Sequence, residues 1–207
     1  MPVGRDKLLL TQTVDTVLRD HGYKYIGLDH YTLESDGLYQ ALQNGKLQRN
    51  FQGYTTHADT DLVGLGVSAI STFETAFAQN TISISDYIES LSRKKLPIAK
   101  GLELSLDDRI RQKVIQQIMC HGNLDMNITL STLVDRAGQI PLKQYFKDEI
   151  DDLEKFLEEG ILILEGSTYH LTESGRYFMR AVAATFDRYL TSTGSASKNV
   201  AQFSKAI

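Results

Sequence analysis

Residues 105–190 carry a succession of apolar spacings that few folds accommodate. Ser105, with Asp108 three residues on, is a capping-box start, and Leu106, Ile110, Val114 and Ile118 then fall on one face of a helix that Gly122 ends. A shorter helix is predicted over 131–137. A third opens at Pro141, which suits the first helical position, and runs through Phe146, Ile150, Leu153 and Leu157 to Gly160. Ile161-Leu162-Ile163-Leu164, a Glu165-Gly166 turn and Tyr169-His170-Leu171 read as a hairpin, and Thr172 caps a final helix reaching about residue 190. Three helices, a two-stranded wing and a closing helix are the order of a winged helix.

That order invites a DNA-binding role, and the charges argue against it. Over 142–159, where a recognition helix would lie, three lysines (143, 147 and 155) stand against seven carboxylates, a net −4. An element entering a groove lined by phosphates draws its affinity from cations. A structural or protein-contact role fits better, and no nucleic-acid partner is expected.

The first part of the chain alternates helix and strand. Leu10, Val14, Val17 and Leu18 follow helical spacing over 7–21 and predict a packed face, Gly22 ends the helix, and 23–28 reads as a buried strand. Helix and strand together are half of a βαβ unit without its partner strands, the pattern of a chain that starts partway through a larger fold. A short helix is predicted over 36–45. Residues 49–56 are polar and aromatic without a period and read as a loop with a task. The small apolar stretch 62–70 reads as a strand or loop lining a cavity. A helix over 85–95, stopped by Pro97, and a short strand over 98–104 follow. The expected division is 1–95, 96–190, and a Ser/Thr/Gly-rich mobile segment with an apolar-tipped tail over 191–207.

The 207 residues, with net charge −4, suffice for two cores and give no global attraction to nucleic acid or an anionic membrane. A single cysteine, Cys120, excludes an internal disulfide and any site built from several thiolates of this chain; on an apolar helix face it reads as a small core residue. No stretch reaches the roughly 18 apolar residues of a membrane helix, so no membrane partner and a cytoplasmic location are expected. Gly64-Leu65-Gly66-Val67-Ser68-Ala69 matches a dinucleotide fingerprint, but it follows Asp59 and Asp61 rather than a buried strand and is better read as a close-packed cavity wall. The five histidines form no helical metal pair. Asp29-His30, at the carboxyl end of the first strand, is where α/β folds place ligand groups.

Three segments in order, 22–31 (Gly22-Tyr23-Lys24-Tyr25-Ile26-Gly27-Leu28-Asp29-His30-Tyr31), 49–56 (Arg49-Asn50-Phe51-Gln52-Gly53-Tyr54-Thr55-Thr56) and 64–71 (Gly64 through Ser71), resemble the C-terminal half of the oxygen-independent coproporphyrinogen III oxidases. The resemblance covers nearly the whole chain. A related family of radical-SAM heme chaperones shares the glycine segment but typically reads Asn-x-x-Tyr-Trp where this chain has residues 50–56, and this chain has no tryptophan. The resemblance implies an α/β plus α+β architecture, the last βα units of a partial radical-SAM barrel followed by the winged-helix-like domain. It implies oxidative decarboxylation of two propionates of coproporphyrinogen III to the vinyl groups of protoporphyrinogen IX. S-adenosylmethionine cleaved at a [4Fe-4S] cluster supplies the radical, and the cluster needs three thiolates. With one cysteine, the chain resembles the part without the cluster loop and is not a complete enzyme by itself; no residue receives a catalytic or metal-ligating role and no electron donor is indicated. Gln52 and Ile70 correspond to positions near bound S-adenosylmethionine, and Arg49 and Tyr54 suit the substrate's propionates and ring. The alternative is a module that keeps a tetrapyrrole or partner pocket without chemistry.

Overall fold

The computed structural model describes residues 4–58 and 60–191; the segment and tail expected over 191–207 lie, but for Thr191, outside the described residues. It is a mixed α/β structure with four small sheets, whose strand pairings are all antiparallel among the described residues.

Helix α1 (Gly4–Asp20) departs from its sequence reading in the face it buries. Leu10, Val14 and Val17 are exposed, as is Leu9, and the buried residue is Asp15. The apolar stripe has no partner within the described residues, while a carboxylate takes the inward position because a cation meets it there. After Gly22, β1 (Lys24–Gly27) does not run on as the strand of a parallel unit: it pairs antiparallel with β2 (His30–Thr32). Gly27 at φ +142° and Leu28 at φ +51° reverse the chain over Leu28 and Asp29, a turn without the usual Asn-Gly or Asp-Gly signature. Helix α2 (Gly37–Gln43) starts at Asp36, whose carboxylate accepts from the Leu38 N–H at 2.7 Å.

The stretch expected to be a loop at 49–56 is a hairpin, β3 (Gln48–Asn50) with β4 (Gly53–Thr55), turning at Phe51 and Gln52. In 62–70, Leu62 forms an isolated bridge to Thr72 and Ile70 starts β5 (Ile70–Thr72), which pairs with β6 (Ala76–Asn80). The glycine segment between them is irregular. Asn80 ties it down by donating to the carbonyls of Gly64 (3.1 Å) and Gly66 (2.9 Å), and a Cβ at Gly64 would come within 2.9 Å of the Ile70 carbonyl. Helix α3 (Ile84–Ser92) leads to β7 (Ile98–Glu103), which completes the sheet β5-β6-β7, so that sheet straddles residue 95.

Helix α4 (Leu106–His121) has the expected reciprocal cap between Ser105 and Asp108 and ends, as expected, at Gly122, which the structure shows to be left-handed. Two features that follow are not legible from periodicity. Strand β8 (Asn123–Asp125) adds to the hairpin of β9 (Leu162–Glu165) and β10 (Thr168–Leu171), giving the order β8-β10-β9. The second helix is short, α5 (Leu130–Leu133), and the third breaks at Phe146 into α6 (Leu142–Tyr145) and α7 (Lys147–Glu158). The final helix is also interrupted, into a 3-10 turn (Gly175–Phe178), α8 (Met179–Ala184) and α9 (Arg188–Thr191). A Cβ at Gly175 would lie 1.9 Å from the Ile161 carbonyl oxygen, so the chain passes too close to Ile161, just before β9, for any side chain. Thr172 caps this start as expected, accepting from the Gly175 N–H at 2.9 Å.

Two cores result. The larger joins Ile110, Val114 and Ile118 of α4 to Phe146, Leu153, Tyr169, Val182 and Phe186, with Phe146 and Phe186 edge to face at 5.1 Å. The smaller consists of Ile26, Ala41 and Leu47. Between them lies an ionic junction. Arg176, from the 3-10 turn, bonds Asp15 of α1, whose carboxylate also accepts from Tyr31 (2.7 Å) and Arg19 (3.0 Å), and the Arg176 guanidinium lies 4.8 Å from the Tyr25 ring centre. Burial alone would raise the Asp15 carboxyl; the three donors outweigh it and hold it below its ordinary value.

Candidate functional site

Helix α4 has two working faces. Ile110, Val114 and Ile118 enter the core, whereas Asp108, Gln112, Ile115, Gln116 and Met119 look onto a cavity of about 870 Å³. The opposite walls are the β3 strand with Phe51, the Thr60–Leu62 stretch, Phe77 and Leu102 of the β6-β7 sheet, and Phe186 to Tyr189. Its volume is within the range of small-molecule sites, which are mostly apolar with a few placed polar groups. Phe51 and Phe77 make an aromatic wall, their rings edge to face at 5.4 Å.

Arg49 is on this wall. Gln116 fixes its backbone by donating to its carbonyl at 3.1 Å, and its cross-strand partner Tyr54 lies under the guanidinium at 5.9 Å. The Arg49 Nε is buried without a hydrogen-bond partner among the described residues. The other arginine well inside the cavity wall is committed: Arg111 binds Asp107 through Nε, and Glu149 and the Phe186 carbonyl through Nη1 (2.8 and 3.1 Å). Burial would lower its pKa; the bonds to Glu149 and Asp107 raise it instead. Asp107 in turn is depressed, its burial outweighed by donors from Tyr145, Arg188 and Arg111.

Of the four residues singled out from the sequence, the cavity includes Arg49 alone. Gln52 is at the exposed tip of the β3-β4 hairpin; its N–H donates to Asn50 at 2.8 Å and its side-chain amide is unengaged among the described residues. Ile70 is partly buried at the start of β5, opposite Gln79. The Tyr54 hydroxyl donates to the Met119 carbonyl at 2.9 Å, and burial raises its pKa well above the ordinary value. A Cβ on Gly27 would fall 2.0 Å from that hydroxyl, so a glycine there is what lets the ring reach α4. His30 packs edge-on against the same ring at 5.0 Å, and its Nδ1 lies 2.8 Å from the Asp29 carboxylate without hydrogen-bond geometry. Asp29-His30 thus belongs to the brace around Tyr54. The α4 residues Gln112 and Gln116 escaped the sequence reading, because a polar stripe beside a core stripe has the same pattern as a solvent-facing one.

Cys120 is buried, as expected, and burial pushes its thiol up to about 12. A single neutral thiol does not fit a [4Fe-4S] cluster, which needs three thiolates. Among the described residues no group of three or more His, Cys, Asp or Glu is placed to hold a metal, and no helix is long and apolar enough to cross a membrane.

No family model matches the chain. The oxygen-independent coproporphyrinogen III oxidase of Pseudomonas aeruginosa is 41% identical over all 207 residues, which amount to 43% of that protein. The protein of the same name from Thermostichus vulcanus is 33% identical, and the chain spans 61% of it. The solved Escherichia coli coproporphyrinogen III oxidase, described as a radical SAM enzyme, superposes on 91% of this chain with a TM-score of 0.81 and 33% identity, the match covering 42% of that structure. The chain therefore spans less than half of most of the curated relatives it matches.

Proposed function

The chain belongs to the oxygen-independent coproporphyrinogen III oxidase family as a C-terminal part of it, and from that premise we propose that it serves the oxidative decarboxylation of coproporphyrinogen III to protoporphyrinogen IX in porphyrin synthesis. What supports the reading is that the likeness runs through the whole chain rather than through one motif. In this reading the division expected at 95 falls after β7, since that strand belongs to the sheet β5-β6-β7: residues up to 103 hold the last units of a radical-SAM barrel whose parallel partner strands lie in the remaining length of the relatives, the exposed stripe of α1 is where that length packs, and residues 105–190 are a winged-helix-like domain. The acidic 142–159 stretch makes that domain a protein-contact or structural element rather than a DNA reader. The location is the cytoplasm.

The chain's own contribution is to bind and orient. S-adenosylmethionine, bound in the whole oxidase, supplies the radical at a cluster whose thiolates this chain does not carry. Gln52 offers a free amide, able to donate to a carboxylate and accept from an ammonium group, for the amino-acid end of that cofactor, with Ile70 in apolar contact. Arg49 holds a propionate. Tyr54, with its hydroxyl already given to Met119, holds the hairpin that carries both residues.

The test is a graft. This chain replaces the matching part of the Escherichia coli oxidase, and anaerobic formation of protoporphyrinogen IX is followed. An active graft is expected, with Gln52→Ala lowering activity ten- to a hundredfold, as loss of one or two hydrogen bonds to charged groups implies. A folded graft that binds substrate and cofactor but makes no product would sink the reading.

A further inference from the structure

We propose that β9 is a strand-addition site: an extended segment of a partner protein, bearing lysines or arginines, continues the sheet β8-β10-β9 at its β9 edge while its cations meet carboxylates of α7 and Glu165. The inference rests on the protein-contact reading of the acidic stretch given above and names the chemistry of the partner. Its basis is the backbone. Strand β10 uses both of its sides, donating from Leu171 to the Gly122 carbonyl at 2.8 Å beside β8 and pairing with β9 on the other. Strand β9 uses one. The Thr172 N–H donates to the Ile161 carbonyl at 3.0 Å, and the register then runs unbroken, His170 opposite Ile163 and Thr168 opposite Glu165. Alternate residues of an antiparallel strand turn their bonds to the same side. Leu162 and Leu164 therefore direct N–H and C=O outward, and neither N–H has a partner among the described residues. Natural edges are blunted by a lysine, a proline or a bulge. Leu162-Ile163-Leu164-Glu165 has none of these, and Ile163 and Leu164 are both nearly half exposed.

Charge selects the occupant. Helix α7 packs beside this strand, and its Glu154 comes close enough to Tyr169, which lies across the hairpin from Leu164, to add to burial in raising the phenol's pKa. Glu154, Glu158 and Glu159 are exposed and have no cation paired with them among the described residues, whereas Glu149 has Arg111 and Asp152 has Lys155. Glu165, at the end of the strand, has His170 at 4.0 Å. An incoming strand with cations is drawn to this rim, and one with carboxylates is turned away. A second copy of the chain is disfavoured for the same reason, since pairing two β9 edges would bring two acidic α7 helices together. The domain behind the edge closes its own core from Ile110 to Phe186. The edge is thus formed in advance, and main-chain bonds to it need no folding of the host.

The probe is a short capped peptide of alternating valine and lysine, labelled for fluorescence anisotropy and titrated at low salt into the chain and into the grafted oxidase. A valine-glutamate peptide and a valine-lysine peptide with its backbone N-methylated, which cannot donate, are run in parallel. Saturable binding of the first is expected, with slowed amide exchange at Leu164, and binding about tenfold weaker or more for the other two. Glu154→Gln together with Glu158→Gln should weaken binding roughly fivefold, and added salt should erase that difference. Leu164→Pro, which deletes an outward N–H, should weaken it about tenfold; Leu164→Lys, which keeps the backbone and guards the edge by charge, serves if the proline variant does not fold. Binding that is absent, equal for the lysine and glutamate peptides, or unchanged by both N-methylation and the Leu164 substitutions would overturn the proposal. So would a dimer of the chain that the peptide does not dissociate, binding that appears only when residues 192–207 are removed, or binding by the chain and not by the graft. These would assign the edge to a second copy, to the chain's own tail or to the remaining length of the relatives. An inactive graft that takes the peptide would remove the oxidase reading alone; an active graft that does not would remove this one.

Discussion

The two parts of the molecule solve the problem of burial differently. From α4 to Phe186 the chain closes its own core: among the described residues 17 side chains form one buried cluster, from Ile110 to Phe186. Residues 4–103 bury a cluster of three, Ile26, Ala41 and Leu47, and leave Leu9, Leu10, Val14 and Val17 of α1 and Ile84, Ile88 and Leu91 of α3 in solvent. Exposed apolar residues in rows along helices are unusual on a self-sufficient domain. The contrast teaches that the second part carries its stability within itself, and that the first depends on surfaces beyond its own.

The largest effect that would sharpen this contrast comes from paired truncations. Phe146→Ala empties a site that is fully buried against Tyr145, Phe186 and the Arg111 guanidinium and should cost about 3–5 kcal/mol in urea unfolding. Leu47→Ala, equally buried but in the three-residue cluster, should cost about 2 kcal/mol, the low end for such a change, because the thin layer around it collapses into the space. Equal costs would mean that the first part has a core as demanding as the second.

Next in size is the junction that couples them. Arg176→Met leaves the Asp15 carboxylate buried with Arg19 and Tyr31 as its donors, and a cost of about 3 kcal/mol is expected, the low end for breaking a buried pair since Arg19 remains. It should also separate one unfolding transition into two, the α1 to β7 part melting first. The same junction sets a pH dependence. Asp15 is depressed in the folded chain below its ordinary 3.8, so its stabilisation is complete above that value and is lost as pH falls through the folded value. Asp15→Asn should therefore flatten the stability profile below about pH 4, relative to the unchanged chain. A variant profile as steep as the original would place the acid sensitivity in other carboxylates.

Where the sequence was legible, a local signal coincided with the tertiary outcome. The Ser105-Asp108 cap, the Ile110, Val114, Ile118 stripe and Gly122 agree with one another, and α4 is where they place it. Where contacts distant in sequence decide, the pattern misleads. Strand β8 is three residues whose only reason to be extended is β10, and α1 turns Asp15 inward because Arg176, 161 residues later, waits for it. The break at Phe146 has the same origin, since its ring is drawn between Tyr145 and Phe186. The candidate site divides in the same way: the segment holding Arg49 stood out by resemblance, but Gln112 and Gln116 become meaningful only once β3 and the β6-β7 sheet lie across from α4.

The smallest effect is also the most direct check on the contrast. Val14, half exposed on α1, adjoins the buried Asp15 in sequence but faces the other way, with Leu10 one turn before it. Val14→Gln removes a β-branched residue from a helix and substitutes a better helix former, a gain of a few tenths of a kcal/mol, while giving up little burial. The net change in urea unfolding should stay within about 0.5 kcal/mol. Solubility should rise, because a row of apolar side chains is interrupted. In the grafted oxidase, where the proposed function gives the stripe a neighbour to pack against, the same substitution should instead destabilise, by roughly 1–2 kcal/mol, since an amide is then buried without a partner. A loss above 1 kcal/mol in the chain alone would mean that α1 already packs its apolar stripe, and the difference between the two parts would reduce to one of size.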